Sequence, residues 1–118
     1  MITNLLMASG VTVDGEYSAS ITPPVLNRVT NNGNFTTPFF EALEQNGTGP
    51  FEYEWSFTGG DGGNVTINSG TEKRTNLNVS SANRDIEITL TCKVKDTGNS
   101  DVIAEASSNI LIIFGNNL

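Results

Sequence analysis

Phe51-Glu52-Tyr53-Glu54-Trp55-Ser56-Phe57 alternates aromatic and polar residues without a break. In an extended strand successive side chains point to opposite faces, so Phe51, Tyr53, Trp55 and Phe57 share one face and Glu52, Glu54 and Ser56 the other. Four aromatics, among them the only tryptophan of the chain, are more apolar surface than a lone ribbon can hide, and a second layer has to cover them. The stretch predicts a layered β architecture with these aromatics in its core.

The same period recurs to either side. Ile86, Ile88, Leu90, Cys92 and Val94 alternate with Glu87, Thr89, Thr91, Lys93 and Lys95, a long strand with one buried face. Asp96-Thr97-Gly98-Asn99 then closes a hairpin onto a last strand with Val102, Ala104, Ala106, Ser108, Ile110, Ile112 and Phe114 on one face. Val65 with Ile67 and Leu77 with Val79 give two short strands, and Thr58 to Gly63 carries too much glycine to be anything but a loop. Upstream, Phe39, Phe40 and Leu43 fit helical spacing while Phe40 and Ala42 fit a strand face. Strand is the expectation, because Asn46-Gly47-Thr48-Gly49-Pro50 then makes a tight hairpin-like connection to the aromatic strand. Asn31-Asn32-Gly33-Asn34 is another hairpin-grade turn, and Pro23-Pro24 interrupts an edge strand with a kink, since proline cannot donate to a ladder. Residues 1–18 follow neither period and are expected to form an N-terminal arm or extension, leaving 19–118 as one domain.

Composition bounds the function. Val, Ile, Leu and Phe make up 31 of 118 residues, above the roughly 20% below which chains stay disordered, so a single packed core is feasible. Thirteen acidic against six basic residues give a net charge of -7 with the cations scattered, which argues against nucleic-acid partners. The opening Met1-Ile2-Thr3-Asn4-Leu5-Leu6-Met7 has no basic segment, and its apolar run is too short for a signal peptide or a membrane span. Cys92 is the only cysteine, so no internal disulfide can form, in keeping with synthesis in a reducing cytoplasm.

Short strands with turns every 8 to 12 residues describe an all-β, antiparallel two-sheet sandwich. The chain resembles an immunoglobulin-like domain of the bacterial and phage type, kin to the polycystic-kidney-disease-like repeats. The residues that carry the resemblance are Gly49 to Phe57 for strand C, Leu90 to Asp96 for strand F, and the hairpin into Val102 to Phe114 for strand G; it spans about Ala19 to Phe114. It implies that Trp55 is the core tryptophan, that Cys92 holds the strand F cysteine position, and that the facing strand B position falls at about Ala42, so the disulfide of antibody domains is missing. Leu90 stands where such domains place a corner tyrosine, and Trp55-Ser56-Phe57-Thr58-Gly59-Gly60-Asp61-Gly62 departs from the repeat's Trp-Asp-Phe-Gly-Asp-Gly. The expected core comprises Phe51, Tyr53, Trp55, Phe57, Leu90, Cys92 and Val94.

The chain has no histidine, which removes imidazole acid-base work and Ser/His/Asp relays. Cys92 faces inward by its strand position and lacks the electropositive setting a nucleophile needs. Glu52 and Glu54 share a strand face about 7 Å apart, a glycosidase-like spacing, but nothing else marks a cleft and solvated carboxylates are the better reading. Asp96 to Asp101, and Asp61 among glycines, cluster oxygen ligands without the spacing of a calcium loop. No enzyme activity, cofactor or metal is expected.

Ile110-Leu111-Ile112-Ile113-Phe114 is apolar throughout. With Ile110, Ile112 and Phe114 inward, Leu111 and Ile113 face out, and in a terminal strand they would make a sticky edge that Leu5 and Leu6 of the arm or a neighbouring subunit has to cover. The resemblance then implies a structural protein of a tailed-bacteriophage virion, a capsid decoration, cement-type or tail-associated protein made in the host cytoplasm, whose partners are the major capsid or a tail protein. The alternative is a carbohydrate or host-cell-surface adhesion module binding surface glycans through the loops at one end, with Tyr17 as the residue exposed for stacking on sugar. No membrane partner is expected on either reading.

Overall fold

The structure, a computed structural model, describes residues 16–30, 33–59, 64–80 and 85–114. Among them the chain is all-β, with no helix. Ten strands follow in order: β1 (Ser18–Thr22), β2 (Val25–Thr30), β3 (Asn34–Thr36), β4 (Phe40–Gln45), β5 (Phe51–Gly59), β6 (Asn64–Ile67), β7 (Arg74–Thr75), β8 (Leu77–Ser80), β9 (Ile86–Asp96) and β10 (Val102–Phe114). They form three sheets, ordered β1-β4-β7, β2-β10-β9-β5 and β3-β8-β6. Every pairing is antiparallel except β2 with β10, which is parallel.

The two strands with the cleanest alternation form the centre. β5 and β9 run antiparallel from Phe51 opposite Asp96 to Gly59 opposite Ile88, which sets Trp55 directly across from Cys92. On β9 every second residue from Ile86 to Asp96 is buried. β10 continues the same sheet through the hairpin at 97–101. The buried side chains form one cluster to which all three sheets contribute: Phe40 and Ala42 from β4, Leu77 and Val79 from β8, Trp55 from β5, and Leu90, Cys92, Ile112 and Phe114 from β9 and β10. That shared burial, not any single sheet, supplies the hydrophobic stabilisation.

Pro23-Pro24 does more than kink a strand. The chain leaves one sheet after Thr22 and joins another at Val25, so the expected single edge strand is two strands in different sheets. The carbonyls released there are not orphaned: Ser108 Oγ, fully buried, donates to Pro23 O at 2.7 Å, and Asn109 N–H donates to Pro24 O at 3.0 Å.

Five further expectations change. The strand expected over Phe35 to Gln45 is broken at 37–39 into β3 and β4, where buried Thr37 exchanges its N–H and Oγ1 with Leu77 at 2.9 and 3.0 Å. Asn46 to Pro50 is not a hairpin, because β4 and β5 lie in different sheets; nor do the strands on either side of Asn31 to Asn34 pair, β2 bonding β10 and β3 bonding β8. The last strand is not an edge: β10 lies between β9 and β2, and its apolar run sits in the interior of a four-stranded sheet. The loop expected from Thr58 begins later, since Thr58 and Gly59 still pair with β9 as the end of β5; Leu5, Leu6 and residues 60–63 lie outside the described residues.

Candidate functional site

Of the residues singled out from sequence, Trp55, Leu90, Cys92 and Val94 are buried, and Phe51, Tyr53 and Phe57 are half-buried on the same face of β5. Tyr17 is not displayed for a ligand. Its ring stacks on Phe51 with centroids 6.1 Å apart, and its hydroxyl donates to Val94 O at 2.8 Å. Burial is the first cause that pushes its phenol up from 10.0, with the charges of Asp96 and Glu44 adding to it. Leu111 and Ile113 are half-buried on the outer face of β10, away from the core.

Sequence reasoning missed Glu44. The alternation that buries Phe40 and Ala42 carries Glu44 to the same inward face of β4, and that i, i+2, i+4 position was the available signal. The Tyr53 hydroxyl donates to the Glu44 carboxylate, and Lys73 Nζ reaches both its oxygens at 2.8 Å while lying 5.7 Å from the Tyr53 ring centroid. Nearby, Trp55 Nε1 donates to Glu72 O at 2.6 Å and Trp55 N–H to Gly70 O at 3.0 Å, so the segment ahead of β7 is pinned to β5. Burial alone would raise the Glu44 carboxyl; the bonds from Lys73 and Tyr53 overcome it and hold the group below its ordinary 4.5. Burial and the bond to Glu44 push the Tyr53 phenol up, so at neutral pH it is a protonated donor, not a base. The cluster locks β4, β5 and the β7 segment together.

A depressed carboxyl stabilises the fold at pH above its unfolded value, and that contribution is lost as pH falls through the folded value. Melting temperature is therefore expected to drop as pH falls below 4.5, and Glu44→Gln should lower stability at neutral pH while flattening that acid slope. An acid slope unchanged in Glu44→Gln would remove Glu44 as its source.

Cys92 is fully buried and unpaired. Burial pushes its thiol from 9.0 up to about 11, which disfavours the thiolate that a nucleophile or metal ligand needs. It is expected to resist a thiol reagent at pH 8 in native buffer and to react fully in denaturant; rapid native labelling would show strand β9 turned the other way. Cys92, Tyr53 and Tyr17 all have raised folded values, so the stability they contribute is present below their unfolded values, 9.0 for the thiol and 10.0 for the phenols. It is lost as pH climbs beyond them.

At one end of the sheets Asp96, fully buried, accepts N–H bonds from Thr48 at 2.7 Å, Gly49 at 2.9 Å and Gly98 at 3.2 Å. Thr97 adds backbone and Oγ1 bonds to Pro50 O, both at 2.9 Å. The loop between β4 and β5 is thereby clamped to the β9–β10 hairpin, and a Cβ on Gly98 would lie 2.0 Å from Gly49 O. The carboxylate offered by sequence to calcium is consumed by backbone donors. No group of three or more His, Cys, Asp or Glu that could hold a metal ion occurs among the described residues.

The outer face of the β2-β10-β9-β5 sheet is zoned along its length. Near the hairpin it is charged, with Lys95 3.8 Å from Glu52 and Lys93 3.9 Å from Glu105, exposed pairs worth about 0 to 1 kcal/mol each. Glu52 and Glu54 stand opposite these lysines and with them, Thr71 and Ile103 line an open pocket of about 290 Å³, in which the lysines face the carboxylates. The middle is hydroxylic, with Ser56, Thr91 and Ser107 side by side across three strands. At the far end a groove of about 430 Å³ is lined by Asn27, Thr58, Glu87, Thr89, Asn109 and Leu111, beside Val25 and Val29, which are 52% and 67% exposed. Comparison with protein-family models and with curated proteins gives no match.

Proposed function

We propose that the three sheets combine into a two-layer immunoglobulin-like sandwich and that the chain is a non-enzymatic structural protein of a tailed-phage virion, decorating the capsid or attached to the tail. The observation that carries this reading is the way the core is closed. Trp55 faces Cys92 across β5 and β9, Ala42 and Cys92 are both fully buried, and packing alone fills the site. The transfer of the first strand from the sheet of β4 to the sheet of β10 at Pro23-Pro24 supports the same assignment. A domain built this way needs no oxidising compartment, as befits one assembled onto a particle inside a bacterial cell. Function lives in the surface and not in the fold, and the surface offered is the outer end with Val25, Val29, Leu111 and Ile113.

The purified protein is expected to bind empty capsids or tails and to leave a glycan array unlabelled. Leu111→Glu with Ile113→Glu is expected to keep the fold, since both residues point away from the core, and to abolish attachment. A double variant that still decorates particles would remove this face as the docking surface. The adhesion reading draws its support from the groove between Asn27 and Thr58, whose volume falls within the range of small-ligand sites; array binding without capsid binding would establish it in place of the virion role.

A further inference from the structure

We propose that two copies of this chain pair through the free edge of β2, antiparallel and centred on Asn27. The inference does not depend on the virion reading.

The edge is defined by hydrogen-bond parity. Asn109 donates to Pro24 O, and the parallel register sets Val25 beside Asn109, Asn27 beside Leu111 and Val29 beside Ile113. In a parallel ladder alternate residues direct their backbone to the neighbour, so Pro24, Leu26 and Arg28 face β10, while the N–H and C=O groups of Val25, Asn27 and Val29 point away from it. No strand covers that side among the described residues.

The three outward residues are spaced symmetrically about Asn27, and the side chains match the backbone. An antiparallel two-fold brings Val25 against Val29 of the second copy, Val29 against Val25, and Asn27 against its own counterpart, in three hydrogen-bonded pairs. All three side chains share the outer face, so the most exposed valine of the described chain gains an apolar partner and the two asparagine amides can each donate and accept. The charges that usually guard an edge are sparse here, Arg28 being the only one on the strand and lying on the opposite face. Pro23-Pro24 stops the pairing at one end and so helps fix the register. A six-residue edge buries less than the roughly 1,200 Å² of a standard interface, and each chain carries a net charge of -7. The pair is therefore weak in dilute solution and strengthened by salt, which screens the repulsion.

Variants of the full chain that each add one cysteine to the buried native Cys92 test the register. Cα atoms across a hydrogen-bonded antiparallel pair lie about 5.5 Å apart, within disulfide reach, so oxidised Asn27→Cys is expected to give a linked dimer at least tenfold faster than the parent chain. Val25→Cys and Val29→Cys should each link poorly alone, their like positions being about 13 Å apart at four residues' separation, yet link to each other when mixed. Equal linking by all three variants means random collision and overturns the proposal. An Asn27→Cys that stays monomeric, as it would if residues 1–15 filled the edge, overturns it also. A second variant separates pairing from folding: Asn27→Pro removes an outward N–H and no hydrogen bond to β10, and is expected to abolish the salt-strengthened dimer seen by sedimentation while melting within a few degrees of the parent. Persistence of that dimer in Asn27→Pro would again overturn the assignment.

Discussion

Trp55→Ala is expected to lower folding stability by about 3 to 5 kcal/mol, enough to leave a domain of ordinary stability, about 5 to 15 kcal/mol, close to unfolding. Two losses combine. The indole is 5% exposed and joins the common core cluster opposite Cys92, so its removal opens a cavity that neighbouring strands cannot close. Its Nε1 also holds the carbonyl of Glu72, and that carbonyl loses its partner. Chemical denaturation followed by circular dichroism measures the change. A cooperative transition at nearly the parent's denaturant midpoint would show that β5 is not the strand on which the layers are packed. Trp55→Phe keeps most of the volume and loses the hydrogen bond, and is expected to fall between the two.

Asp96→Ala is the second large effect, expected at about 3 kcal/mol. Three backbone N–H groups, from Thr48, Gly49 and Gly98, converge on one buried carboxylate. Hydrogen bonds to a charged acceptor are worth about 1.5 to 3 kcal/mol each, but Thr48 and Gly98 lie at an exposed turn where water can replace part of the loss. Asp96→Asn should recover little, because the amide NH2 would face N–H donors that need an acceptor. Amide hydrogen exchange at Thr48, Gly49 and Gly98 is the local readout. Exchange unchanged in Asp96→Ala would show that the two loops hold together without the clamp.

Strands with one buried face were legible in the sequence because their signal is local. The alternations of Phe51 to Phe57 and Ile86 to Val94 fix which side chains face in, whatever the neighbours are. Partnership between strands was not legible at Asn46 to Pro50 or Asn31 to Asn34, because turn residues report that the chain changes direction and not which strand it will pair with next. The same limit hid the parallel pairing of β2 with β10, whose partners are more than eighty positions apart, as with Asn109 and Val25. Ile110 to Phe114 carried the needed hint. An unbroken apolar run belongs to a strand enclosed by neighbours more often than to an edge, and β10 is flanked on both sides. Glu44 and Tyr17 were lost for a different reason: a polar residue at an inward position is credible only once its partners are known, here Tyr53 and Lys73 for the carboxylate and Val94 O for the phenol.

The pairing of β2 with β10 also decides how the domain carries a mechanical load. The strands run in the same direction, with Val25 to Thr30 beside Asn109 to Phe114, so the beginning of β2 and the end of β10 lie at opposite ends of the ladder. Tension applied through the chain before β2 and after β10 pulls the two strands past each other along their own axes. The hydrogen bonds between the six matched positions are then strained together in shear, where a hairpin pulled from its open end would yield them one at a time. β1, registered with β4 from Ser18 to Thr22, stands ahead of them in the line of force. Stretched along this path, the β2–β10 ladder is expected to resist until its row of bonds gives way together.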